Sequence, residues 1–256
     1  MKKYLNININ TNIQVEFEEY VRYGGFPGAL MYEKYEDKIS YISNVISDIY
    51  EKDIKMNKKI KNTETFKTIQ NFIINNFGTQ FSVTSIKKYF INLGQNIDIR
   101  TINNYINILE NAKILYKCQV FDIKSKNALK SERKYYLADT SFYFTQNTDN
   151  RIYYGPILEN IVYNYLLSKD YKLSIGKIGK FECDFIARKG LENYFYIQVT
   201  KNMDDESTFE REVRALKAIK ELYPRYILTL DLIFQKNIGG IKIENIIDLL
   251  SNNKEL

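Results

Sequence analysis

The chain has 256 residues, 45% apolar and 27% charged, with a formal net charge of +6. That is long enough for two domains with buried cores, and the charge is a mild bias toward anionic partners such as nucleic acid. Histidine is absent, which excludes Ser-His-Asp and Cys-His triads, histidine general bases and histidine metal ligands together. Hydrolytic chemistry would have to use carboxylates, lysines and metal-bound water. Two cysteines, Cys118 and Cys183, are too few for a zinc site and fit a reduced, cytoplasmic setting. The start, "MKKYLNININTNIQ", has the lysines of a signal peptide without an apolar run behind them. No segment approaches the roughly 20 apolar residues of a membrane span.

Residues 1–60 read as a helical lead-in. A first helix ends in "RYGGFPG" at Gly24 and Gly25, and Ile39, Ile42, Ile46 and Ile49 recur near helical spacing in a second. Three helices follow. The first buries Phe66, Ile69, Ile73 and Phe77 and ends at Gly78. The second starts at Ser82 as N-cap and stops at Gly94. The third is capped by Asp98 and buries Ile102, Tyr105, Ile106 and Leu109. A strand, a basic loop and a second strand ending at Asp139 come next. Three helices and a two-stranded wing are the order of a winged helix, placed at 61–145. From residue 150 the pattern changes to a helix with Pro156 in its first turn, three short strands, a long amphipathic helix, a buried strand and a short closing helix over "IENIIDLL". The long helix has the acidic start "DDE" and reaches Pro224. This alternation predicts a mixed α/β sheet flanked by helices.

The exposed side of the third helix carries Arg100, Thr101, Asn103, Asn104 and Asn107, and the wing adds Lys124, Lys126, Lys130, Arg133 and Lys134. Asparagine pairs with adenine edges and arginine with guanine or phosphate, so these ten are the candidate DNA contacts. No phosphate loop G-x-x-x-x-G-K-[ST] and no G-x-G-x-x-G is present; "SIGKIGK" has Tyr171 where the leading glycine would sit.

The elements over 150–256 resemble the α-β-β-β-α-β core of the restriction-endonuclease-like fold. Nucleases of that fold place acids on the first helix and second strand, and Glu-x-Lys on the third. Glu159 and Asp184 match the first two positions, and Glu182 alternates with Asp184 to share its sheet face. Gln198 and Thr200 stand in place of the glutamate and lysine. A Mg²⁺ site would be built from Glu159, Glu182 and Asp184 with Gln198 as a neutral ligand, short of one charge and of an ammonium. Otherwise Glu159 and Asp184 are structural.

The ordered set "EEYVRYGGFP", "DIYEKDI", "FSVTSIKKYF", "TINNYINILENAKILYKCQVFDIK", "KYYLADTSF", "ILENIVYNYLL", "ECDFIA", "YIQVT" and "FEREVRALKAIKELYPRYILTLD" resembles the C-terminal half of prokaryotic AAA+ family ATPases. The resemblance implies a parent protein that hydrolyses ATP in an N-terminal half this chain lacks, so ATP itself would belong to that missing domain. It also implies that Arg22 lies near the nucleotide and that the Gln198–Val199 pair is usual for the family. Met1 without Walker motifs reads as a fragment, a split gene or a remnant. The expected function is a non-catalytic module that recognises DNA or a protein, coupled to a separate ATPase chain, away from membranes. Its rivals are a Mg²⁺-dependent nuclease and a protein scaffold without nucleic acid.

Overall fold

The computed structural model describes residues 13–55, 60–147, 152–190, 193–203, 206–231 and 237–256. The acidic Asp204 and Asp205, expected to start the long helix, and the side chain of Lys130 lie outside the described residues. The protein is mixed α/β. Helix α1 (Ile13–Tyr23) buries Phe17 and Val21, and a 3-10 turn (Pro27–Met31) leads to α2 (Tyr35–Ile49) and a π-helical turn (Tyr50–Lys55). The "GGFP" stretch between them docks on Asp139. Gly24 has φ +72°, and a Cβ there would lie 1.7 Å from Asp139 Oδ1. The Gly25 N–H donates to Asp139 Oδ2 at 2.7 Å. Only glycine allows the backbone to come so close to that carboxylate. Burial, with Asp139 beside it, pushes the Tyr20 phenol up to about 12.

Next come α3 (Thr63–Asn75), β1 (Gln80–Phe81), α4 (Val83–Asn92), α5 (Ile99–Asn111), β2 (Leu115–Asp122) and β3 (Asn127–Leu137). The caps read from sequence are in place. Ser82 and Ser85 form a reciprocal capping box, and Asp98 accepts from the Arg100 N–H at 2.6 Å. Gly78 and Gly94 take positive φ where α3 and α4 end. β1 pairs antiparallel with β3, a strand that the sequence reading did not contain.

The rest is α6 (Ser141–Gln146), α7 (Tyr154–Ser168), β4 (Lys172–Ile178), β5 (Phe181–Lys189), β6 (Asn193–Val199), α8 (Glu206–Lys217), β7 (Arg225–Thr229), β8 (Asn237–Ile238), β9 (Ile241–Asn245) and α9 (Ile246–Ser251). The nine strands among the described residues form one sheet in the order β1-β3-β2-β4-β5-β6-β7-β9-β8. The join is a parallel pairing of β2 with β4, Val120 opposite Ile175 through Asp122 opposite Lys177. The outer end of the hairpin is therefore bonded into the sheet on one edge and does not stand free. α7 and α9 pack into the larger core with Phe185, Ile197 and Leu228; α8 packs into a second with Cys183, Tyr196 and Ile227. β5 is buried from Cys183 to Ala187, as a strand covered on both faces must be.

Two expectations at the C-terminal end need correction. α8 stops at Lys217, well before Pro224, because Ile219 turns into the core and the Arg225 guanidinium takes the carbonyls of Ile219 and Glu221, both at 2.8 Å. The closing "IENIIDLL" is not one helix. Ile241 and Ile243 alternate with exposed Lys242 as a strand, and Asn245 then caps α9 by accepting from the Asp248 N–H.

Candidate functional site

The carboxylates singled out from sequence meet in one cleft of about 470 Å³ at the ends of β5 and β6, lined by Glu159, Glu182, Asp184, Gln198, Thr200 and Glu212 among others. α7 supplies Glu159, the β4–β5 hairpin Glu182, and β6 Gln198. What holds them was not foreseen. The Lys134 ammonium, from β3, lies 3.2 Å from Glu159 Oε2 and 2.5 Å from Glu182 Oε1. Tyr136, two residues on and on the same strand face, donates to Glu159 Oε2 at 3.1 Å. Lys134 is only 5% exposed. Its expected place among the wing's DNA contacts is thus corrected: strand alternation turns it inward, away from Arg133. Burial alone would lower its pKa, but Glu159, Asp184 and Glu182 outweigh that and hold it above the ordinary lysine value. Burial raises the Glu159 pKa against the opposing pull of Lys134.

Asp184 and Gln198 serve the backbone. β4 and β5 slip register here, so that Asp184 and Phe185 stand opposite the single residue Ile175. Antiparallel β5–β6 pairing begins only at Phe185 opposite Ile197. Beyond it, Asp184 Oδ2 accepts from the Val199 N–H at 2.7 Å, and the Asp184 N–H donates to Gln198 Oε1 at 3.3 Å. The two side chains close the ladder where main-chain pairing stops. Thr200 Oγ1 donates to the Asn202 carbonyl at 3.0 Å. Lys201 also lines this cleft, its ammonium 4.3 Å from the Tyr154 ring centroid.

Burial, and next the charge of Glu159, push the Asp184 pKa well above the ordinary value. A carboxyl that holds its proton more tightly in the folded chain favours folding at low pH. That contribution is lost as pH rises through about 4 and upward. Asp184→Asn keeps an oxygen for Val199 and carries no charge. It is expected to flatten the decline in stability between pH 4 and pH 8, read by urea unfolding at each pH. A variant that declines as steeply as the parent would show that Asp184 carries no such burden.

The arrangement does not fit a Mg²⁺ ion. An ammonium occupies the space between Glu159 and Glu182, and Asp184 is committed to Val199. Among the described residues no group of three or more histidine, cysteine, aspartate or glutamate side chains is arranged to hold a metal.

On the other unit, Arg100, Asn104 and Asn107 are exposed along α5, with Thr101 and Asn103 half-buried. A polar groove of about 490 Å³ runs between the starts of α3 and α5, lined by Lys61, Asn62, Gln95, Arg100 and Asn104 among others. Lys124 and Lys126 are exposed in the β2–β3 turn. Arg133 is half-buried and donates to the Tyr135 hydroxyl at 3.4 Å. Arg22 is exposed in the last turn of α1. Sequence reasoning missed Tyr136 and Asn160; Asn160 is fully buried and joins α7 to the Leu137 main chain.

Fold and site together define a mixed α/β protein whose helical unit and sheet unit share one sheet, pinned by a buried lysine between carboxylates. Residues 14–150, more than half of the chain, match the family described as a domain of unknown function (DUF8612), and the chain belongs to that family. The match ends between α6 and α7. An uncharacterized protein of Haemophilus influenzae (strain Rd) is 30% identical over 234 residues, 91% of this chain and 57% of that protein. The uncharacterized protein MJ1544 of Methanocaldococcus jannaschii is 27% identical over 209 residues, 80% of this chain and 46% of that protein. The chain spans about half the length of these curated relatives. No solved structure matches it. No helix among the described residues is long and apolar enough to cross a membrane.

Proposed function

We propose that this chain is a non-catalytic duplex-DNA-binding module. The observation that carries the reading is the polar, exposed face of α5: Arg100, Asn104 and Asn107 project outward opposite a stripe of Ile102, Tyr105, Ile106 and Leu109 that is buried. The order α3-β1-α4-α5-β2-β3 supports a winged helix, in which the helix before the hairpin reads the major groove. The order α7-β4-β5-β6-α8-β7 supports a restriction-endonuclease-like second unit. Its cleft favours a structural over a hydrolytic role, since Lys134 already pairs with two of the carboxylates that a metal would need. The resemblance to the C-terminal half of AAA+ ATPases adds that the module works alongside an ATPase, and the matched stretches cover only 57% and 46% of the two relatives, which leaves room for one.

Fluorescence anisotropy of a labelled duplex against salt tests the reading. Binding is expected to be tightest at low salt and to weaken linearly in log[salt]. Arg100→Ala is expected to cost about 1–3 kcal/mol of affinity at low salt. No binding at low salt would sink the proposal.

A further inference from the structure

The β2–β3 and β4–β5 turns lie against each other. Asp122 stands opposite Lys177 in the parallel β2–β4 ladder, and the Ile123 N–H donates to the Lys177 carbonyl at 2.9 Å. Just beyond, Lys124 Nζ lies 3.5 Å from where a Cβ on Gly179 would be. Gly179 has no side chain, and the ammonium of one turn lies close to the space a side chain would take on the other. Lys124, Lys126 and Lys180 are exposed across the two turns.

The nearby acids offset only part of that charge. Asp122 turns into its own loop, accepting from the N–H groups of Lys124 at 2.9 Å and Ser125 at 3.4 Å. Glu182, two residues past Lys180, is paired with the buried Lys134. Lys134 is shared with Glu159, so it offsets only part of the Glu182 charge; the three exposed lysines of the turns against Asp122 and a partly compensated Glu182 still leave this edge net positive.

We propose that the two turns form a single phosphate-contacting ridge, so that duplex DNA engaged by α5 also touches the β4–β5 turn of the second unit. The proposal rests on the DNA-binding reading above. Ammonium groups on flexible stems contact phosphate oxygens without reading bases, and each contact adds to the salt dependence of binding. The β4–β5 turn thus contributes affinity and placement, not sequence preference.

The test uses the whole chain and a labelled duplex titrated over a range of salt. Lys124→Gln and Lys180→Gln should each lower the slope of log K against log[salt] by about 0.9. Lys217→Gln is the control. It is exposed beside Gly239 in the β8–β9 turn, at the far edge of the sheet and about 24 Å from β4 at about 4.8 Å per strand. That is beyond the roughly 8–10 Å reach of screened charge, so its slope should be unchanged. If Lys180→Gln keeps the parent slope while Arg100→Ala weakens binding, the ridge is wrong and the α5 reading stands. An equal fall with Lys217→Gln would reduce the effect to net charge and overturn the ridge. Absence of binding by the parent chain would overturn both.

Discussion

Lys134→Met is expected to destabilise the protein by about 3–5 kcal/mol, the cost of removing one partner from a buried ion pair. The side chain of Glu159 is 16% exposed and that of Lys134 6%, so little solvent replaces the lost ammonium. Methionine fills much the same volume, which leaves the stranded carboxylate, not a cavity, as the cause. The double variant Lys134→Met/Glu159→Gln follows from this. With the charge on Glu159 gone, about half or more of the lost stability should return, because burying an uncompensated charge costs more than losing the attraction between a pair. Glu182 is more exposed, at 38% of its side chain, and can be rehydrated, so Lys134→Met/Glu182→Gln should recover less. Urea unfolding of these four proteins together with Glu159→Gln and Glu182→Gln alone closes both cycles and gives the coupling energies. If both double variants are as unstable as Lys134→Met, the effect comes from packing of the lysine stem and the charge account fails.

The helical parts of the fold were legible because their signals are local. Ser82, Asp98, Gly78 and Gly94 act within a turn of where they stand in the chain, through caps and positive φ, so sequence alone places them. The elements that were missed are set by distant partners. β1 is two residues long and exists because β3 offers Arg133 and Lys134 as its ladder; two residues carry no period. α8 looks continuous to Pro224 by composition, yet Arg225 captures the carbonyls of the turn that ends it. The candidate site divides in the same way. Glu159, Glu182, Asp184 and Gln198 were found from spacing and do line one cleft. The lysine that pairs with two of them comes from a strand 25 residues before Glu159, in a unit read as separate. A signal was present: Lys134 and Tyr136 alternate with Arg133 and Tyr135 in "RKYY", so the two pairs face opposite sides of the sheet and only one can reach Glu159. Sequence does not say which pair, since each contains one base and one tyrosine.

Asn160→Ala should be the second most damaging single substitution, at about 2–5 kcal/mol. β1 covers β3 only at Arg133 and Lys134, so the outer edge of β3 beyond them needs other partners. The Gly78 N–H takes the Tyr135 carbonyl at 2.9 Å. Asn160 takes the next pair, its Oδ1 accepting from the Leu137 N–H at 2.7 Å and its Nδ2 donating to the Leu137 carbonyl at 2.9 Å. Asn164 also donates to that carbonyl at 3.0 Å. A helix side chain thus acts as one more residue of the sheet and fixes α7, with Glu159 one position earlier, at its height over β3. Each buried backbone group left without a partner costs about 1–3 kcal/mol, and Asn164 can relieve only the carbonyl. Asn160→Asp separates the two bonds. It keeps the acceptor for Leu137 N–H and loses the donor, and it faces the carbonyl with a second oxygen. It should fall below Asn160→Ala in stability at pH 7 and recover as pH falls through the carboxyl pKa, when the protonated acid regains a donor. Thermal unfolding across pH gives the answer. Equal stability of Asn160→Ala and the parent would mean that α7 is held by its apolar face alone.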